Sequence, residues 1–167
     1  MESETKTQVV KDLNRKTLVV TREFNAPLKD VWRAFTEPAI LDQWWGPLPW
    51  KARTKYMDFS PGGYWLYSMV GPDHQLHWAR MNYLGIDYLK GYDVEDCFCN
   101  EEGVVNKELP ISKGKTQFNK ATQGTRVEFS VTYPTEADLN KIVEMGMVEG
   151  ITICYEQLDG LFAGKKI

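Results

Sequence analysis

The sequence predicts an α+β domain in which a curved antiparallel sheet of about seven strands wraps a long C-terminal helix, with two short helices after the first strand. Three observations carry this. A β-branched, alternating run at the start is followed by two short helical stretches. Further strand-like runs then succeed one another across turn residues. Last comes one long apolar stripe at helical spacing. A sheet with one dry face and a helix with one apolar stripe both need cover, and packing one on the other satisfies both.

The elements follow in order. The first 16 residues, MESETKTQVVKDLNRK, are polar and read as a flexible tail, leaving residues 17–167 as a single domain. Thr17 to Phe24 alternates as a strand. Asn25-Ala26-Pro27 offers a capping side chain before a proline suited to a first helical turn. The helix Leu28 to Phe35 buries Val31, Trp32 and Phe35. After Thr36-Glu37-Pro38 a second short helix carries Ile40, Leu41, Trp44 and Trp45. Gly46-Pro47 ends it, because glycine accepts positive φ and proline cannot continue the hydrogen bonding.

Turn chemistry then separates KARTKYMDF, YWLYSMV, LHWARMNYLGI, YDVEDCFC, KTQFNKA and TRVEFSVTY, an antiparallel meander. In the last strand Val127, Phe129, Val131 and Tyr133 share one face, with Arg126, Glu128, Ser130 and Thr132 opposite. Thr135 is a natural N-cap for a helix from Glu136 to about Ala163. Its stripe runs through Leu139, Ile142, Met147, Ile151, Cys154 and Leu158. Gly146 and Gly150 interrupt that stripe one turn apart, which implies a close neighbour there, either the sheet or the occupant of a cavity.

Composition excludes several classes. A formal charge of −3 provides no basic field for nucleic acid. No apolar run approaches the ~20 residues of a membrane span, so membrane insertion is not expected. The N-terminus lacks the apolar segment of a secretory signal, and three cysteines in no framework spacing suit reduced thiols, so the expected location is the cytoplasm. Cys97-Phe98-Cys99 has no histidine at zinc spacing, since the chain holds only His74 and His77. No metal and no cofactor is expected.

No serine sits in a nucleophile elbow, and no glycine loop suits phosphate. Asp93 and Glu95 share a strand face with Cys97 and Cys99, while Asp96 lies with Tyr92, Val94 and Phe98 on the other. The first face is either a solvated one or an acid-and-thiol cluster in a cavity. The aromatic residues say more. Trp65, Tyr67 and Met69 alternate on one strand face, and His77, Met81 and Tyr83 on the next. Such a wall suits a core, and equally a pocket for a flat apolar ligand. Trp44, three and four residues after Leu41 and Ile40, is assigned to the core. Trp45, at the helix end, is assigned to a cavity rim.

Arg22-x-Phe24-x-Ala26-Pro27-x-x-x-Val31-Trp32-x-Ala34-Phe35-Thr36-x-Pro38, then Leu41-x-x-Trp44-Trp45-Gly46-Pro47, resembles the SRPBCC helix-grip superfamily, of START and birch-allergen-like fold. Within it the sequence is similar to the heat-shock-protein-90 ATPase activator homologue-like family. Gly62-Gly63-x-Trp65, Gly124-Thr125-Arg126-Val127 and Glu144-Met145-Gly146-Met147-x-Glu149-Gly150 continue the pattern. The resemblance implies one domain with a cavity between sheet and helix. Superfamily members bind lipids, sterols, plant metabolites or polyketides, and a minority are cyclases or hydrolases.

The leading expectation is therefore a binding protein, monomer or dimer, for a small hydrophobic or aromatic molecule. Its candidate cavity residues are Trp45, Trp65, Tyr67, Met69, His77, Met81, Tyr83, Met147, Ile151 and Cys154. A second reading, implied by the resemblance, is an interaction module for a chaperone. Eukaryotic activators add an N-terminal domain with an Asn/Trp-rich motif, and residues 1–16 carry no such motif. A third reading is a cyclase or hydrolase acting on a polyketide-like substrate, with His77, Asp96 or Tyr83 as acid or base.

Overall fold

The turn residues that punctuate the sequence become hairpins within one antiparallel sheet. The computed structural model describes residues 7–164. Its strands are β1 (Gln8–Asp12), β2 (Thr17–Phe24), β3 (Lys51–Met57), β4 (Tyr64–Val70), β5 (Leu76–Asp87), β6 (Gly91–Cys99), β7 (Ser112–Ala121) and β8 (Gly124–Thr132). The helices are α1 (Leu28–Thr36), α2 (Pro38–Trp44), α3 (Glu136–Glu144) and α4 (Met147–Ala163). Strand order is β1-β2-β8-β7-β6-β5-β4-β3, so β2 joins the end of the β3–β8 meander by pairing with β8. Register shifts between Thr54 and Tyr56 on β3 and between Tyr83 and Gly85 on β5 are the bulges that help bend such a sheet.

Four expectations need correction. The segment read as a tail contains β1, whose Val9 pairs with Val20 and packs against both core clusters. A strand with one inward apolar residue among polar ones leaves little periodic signal, so the strands number eight rather than about seven. Residues 1–6 of that expected tail lie outside the described residues.

The single C-terminal helix is two. Gly146 takes φ 95°, a left-handed conformation that L residues avoid, and the chain restarts as α4 at Met147. Finally, Asn25 makes no cap. Pro27 holds the N-cap position of α1 without a side-chain hydrogen bond. Thr135 does cap α3, accepting from the Asp138 backbone N–H at 3.0 Å.

Two hydrophobic clusters fill the sheet's concave side. The larger joins β2, α1, α2 and α4 through Phe24, Phe35, Trp44, Tyr155 and Leu158. The smaller joins Leu18, Val131 and Tyr133 to Leu139 and Ile142 of α3. Arg22 occupies an inward position of β2 between Val20 and Phe24 and is 6% exposed. It donates to Thr7 Oγ1 and forms an ion pair with Asp159, fastening α4 to the strand. Three side chains, Val9, Phe129 and Met147, pack against both clusters. The space between the clusters is where the cavity lies.

Candidate functional site: the cavity between sheet and helix

The cavity begins where α2 ends. The last carbonyls of a helix lack intrahelical partners, and here the side chain of Gln157 on α4 supplies them. Its Nε2 donates to the Trp44 carbonyl at 3.0 Å and the Gly46 carbonyl at 2.8 Å, while its Oε1 accepts from the Leu48 N–H at 3.0 Å. Cys154 Sγ donates to the Trp45 carbonyl at 2.8 Å. These bonds hold α4 against the α2–β3 corner. Gly46 is needed there, since a Cβ would stand 2.7 Å from the Ala52 nitrogen.

That corner sends the two neighbouring tryptophans apart. Trp44 is fully buried and donates its ring N–H to the Ala34 carbonyl at 2.9 Å. Trp45 is half-buried and donates to Tyr67 Oη at 3.0 Å. The space beyond Trp45 is a cavity of about 440 Å³, between β4, β5, β6 and β8 on one side and α3 and α4 on the other.

Eight of the ten candidate residues line it: Trp45, Tyr67, Met69, His77, Met81, Met147, Ile151 and Cys154. Trp65 and Tyr83 do not. Both have the correct face, but strand parity does not reveal what covers a face. Trp65 stacks on Tyr67 with centroids 4.1 Å apart and donates to Thr54 Oγ1 at 2.9 Å, whose hydroxyl donates to Asp42 at 2.6 Å. It backs the wall instead of forming it. Tyr83 lies about 7 Å along β5 from Met81, closed over by Phe59 at 4.8 Å and near Tyr92 at 6.0 Å.

Gly146 and Gly150 both line the cavity. The nearest atom to a Cβ on Gly150 would be Pro47 Cγ at 3.7 Å, so of the two neighbours expected for these glycines the structure provides the cavity mouth. His77 and Met145 are exposed members of the lining and mark its rim, with the Trp50 ring tilted against His77 at 5.3 Å between centroids.

Residues that sequence patterns left out complete the wall: Trp50, Ala79, Pro110, Ser112, Phe129 and Met145. Pro110 arrives by the long β6–β7 connection, for which periodicity offers no signal, and Ser112 opens β7 directly after it. Pairing of β6 with β7 stops at Asp96–Ser112, beyond which β6 runs on against the β6–β7 connection, with Cys99 bridged to Val105 and the Asn106 N–H donating to the Phe98 carbonyl at 2.8 Å. Asp96, Cys97 and Phe98 all border the cavity there.

Asp96 dominates the electrostatics. Among the described residues lining the cavity it is the only carboxylate, and no lysine or arginine joins it. Removal from bulk water, with nothing to offset it, pushes its carboxyl from 3.8 up to about 7. Its charge in turn raises the hydroxyls of Tyr67 and Tyr133, for which burial is the larger cause. Burial likewise holds Cys154 up at about 12 and Cys97 at about 11, so both thiols stay protonated at neutral pH. Of the three acid or base candidates, Asp96 faces the space, His77 stands at the rim and Tyr83 is out of reach. The wall thus combines apolar rings, adaptable methionines and one carboxyl raised to about 7.

A bent antiparallel sheet closed over a C-terminal helix, with a cavity between them, defines a helix-grip domain. The chain belongs to the family described as Activator of Hsp90 ATPase homolog 1-like protein, which residues 25–163 match. Among solved structures it is similar to protein Ms6760 from Mycobacterium smegmatis, with 32% identity, 93% of this chain and 95% of that chain covered, and a TM-score of 0.86. A protein from Arthrobacter aurescens is 29% identical over 94% of this chain and 91% of that one, with a TM-score of 0.88. Protein NE0264 from Nitrosomonas europaea shares the fold at 24% identity, covering 91% and 97% of the two chains with a TM-score of 0.77. Comparison with curated proteins found no match. Among the described residues no helix is long and apolar enough to cross a membrane.

Proposed function

We propose that this protein binds a small hydrophobic or aromatic molecule in the cytoplasm, held between the sheet and α4. The observation that carries the reading is the cavity itself. Its volume of about 440 Å³ falls within the ~300–1,000 Å³ of ordinary ligand sites. Aromatic rings and methionines form much of its wall, and the Trp45 N–H, donated to the Tyr67 hydroxyl, fixes two of those rings. Such surfaces favour a flat apolar guest over water.

Native mass spectrometry of the purified protein, with solvent extraction of what it carries, tests this. Uptake of an environment-sensitive hydrophobic dye, blocked by a bulky residue at Gly150, is the expected companion result. A protein that carries nothing and takes up no hydrophobic probe would sink the reading.

The family's description favours a second reading, an interaction module for a heat-shock chaperone. A pull-down with the host chaperone and an ATPase assay test it. No association at tens of micromolar counts against it.

A further inference from the structure

Asp96 is the one feature of the cavity that a purely apolar guest leaves unexplained. Desolvation is the sole influence on its carboxyl, with no hydrogen bond or cation offsetting it among the described residues. It is paired with Met81 of β5 on one side and Ser112 of β7 on the other, in a wall made largely of rings, methionines and aliphatic groups, with the Ser112 hydroxyl and the Cys97 and Cys154 thiols among them. Asp96 is half-buried, and a carboxyl placed this way opposes folding whenever it is ionised, because it has lost part of its water without gaining a partner. What it lacks is a positive partner, and the cavity has room for one.

We propose, building on the ligand-binding reading, that the cavity's guest is a flat, largely apolar molecule bearing one protonated amine, seated with its nitrogen against the Asp96 carboxylate.

Three arguments select this class. A neutral hydroxyl would return one ordinary hydrogen bond, whereas an ammonium returns a charge-assisted bond roughly twice as strong and the missing counter-charge. The aromatic walls point the same way, since the faces of Trp45, Tyr67 and Tyr133 attract a cation and repel an anion. An anionic guest, such as a fatty acid or an aromatic carboxylate, would meet Asp96 as a like charge.

The groups around Asp96 leave it in control of the pH response. Tyr67 from β4, Tyr83 from β5, Tyr92 from β6, and Tyr133 beyond β8 are all raised further above the ordinary tyrosine range. Cys97 and the Cys154 thiol on α4 are raised as well. All stay neutral around pH 7. His77 stands apart from these groups, exposed at the rim.

The test uses three probes of one shape: naphthylmethylamine, naphthylmethanol and naphthoate. Binding to the full chain is followed by calorimetry and tryptophan fluorescence. At about pH 8 the amine is expected to bind about tenfold or more tightly than the alcohol, and naphthoate most weakly. In Asp96→Asn the amine should lose that advantage, leaving amine and alcohol within about twofold. In the unaltered protein amine affinity should fall by about that same tenfold or more by about pH 5, towards that of the alcohol, as the carboxyl takes up its proton, while alcohol affinity stays level.

Equal binding of amine and alcohol, or an amine preference that survives in Asp96→Asn, overturns the amine proposal while the ligand-binding reading stands. If none of the three probes binds, both fall. Circular dichroism establishes that Asp96→Asn is folded; should it not fold, the pH profile of the unaltered protein decides alone.

Discussion

The rings of Trp44 and Trp45 meet edge to face with centroids 5.3 Å apart, yet their N–H groups donate to opposite compartments, one to the Ala34 carbonyl and the other to the Tyr67 hydroxyl. One peptide bond therefore divides core from cavity wall. Truncation of each should read out differently. Trp44→Ala is expected to cost about 3–5 kcal/mol in urea unfolding. Trp45→Ala should cost less, about 1–2 kcal/mol for a half-buried ring and one hydrogen bond, and change hydrophobic-probe affinity several-fold. If both variants simply unfold, the two rings are one core.

The Asp96 carboxyl makes stability depend on pH in a defined direction. Its folded value, about 7, lies above its ordinary 3.8. The stability linked to it is therefore fully present below the lower value and lost as pH rises through the upper one. Asp96→Asn removes that loss. Relative to the unaltered protein, the variant should gain roughly 2–4 kcal/mol between about pH 4 and about pH 8. Unfolding at the two pH values measures the difference, and carboxylates common to both proteins cancel. A gain of the same size at both pH values would assign the effect to packing instead of ionisation.

The two glycines of the C-terminal helices should respond with opposite signs. Gly146 has φ 95°, while the nearest atom to an added Cβ is Glu149 Oε1 at 4.0 Å. Gly146→Ala thus meets backbone strain without a clash, and should destabilise by about 1–2 kcal/mol. Gly150 is within α4, where alanine is preferred, and Gly150→Ala should stabilise by about 0.5–1 kcal/mol. Because Gly150 lines the cavity near Pro47, the same change should weaken probe binding. Thermal unfolding and a dye titration separate the two effects.

Arg22 and Asp159 form the ion pair that ties β2 to α4, with the arginine side chain 6% and the aspartate 30% exposed. Removing only the aspartate leaves a buried guanidinium without its partner. Asp159→Ala should cost about 2–4 kcal/mol, the lower end reflecting the aspartate's contact with solvent. The paired replacement Arg22→Met with Asp159→Leu should recover most of that loss. A double-mutant cycle gives the coupling, and additive losses would mean that the pair holds nothing together.

Period and punctuation made most of the fold legible. Alternation marked β2, β4 and β8, and the i+3/i+4 stripe marked the C-terminal helices. Gly-Pro and Pro-Gly-Gly turns set their limits. The same alternation placed Tyr67, Met69, His77 and Met81 on the face that lines the cavity.

Local patterns carry no information about what lies above a face. Trp65 and Tyr83 share that face and are nonetheless sealed, one by its neighbours around Thr54 and the other by Phe59. Gln157 resembles any polar residue on a helix until folding carries it to the open carbonyls at the end of α2. Asp96 could be assigned to the inner face by parity. Its isolation, and hence its raised pKa, exists only because β6 runs on past its pairing with β7 and no cation among the described residues reaches it. Direction along an element is a property of neighbouring residues, so sequence alone determined it. Cover, contact and desolvation depend on segments far apart in the chain, and only the tertiary structure decided those.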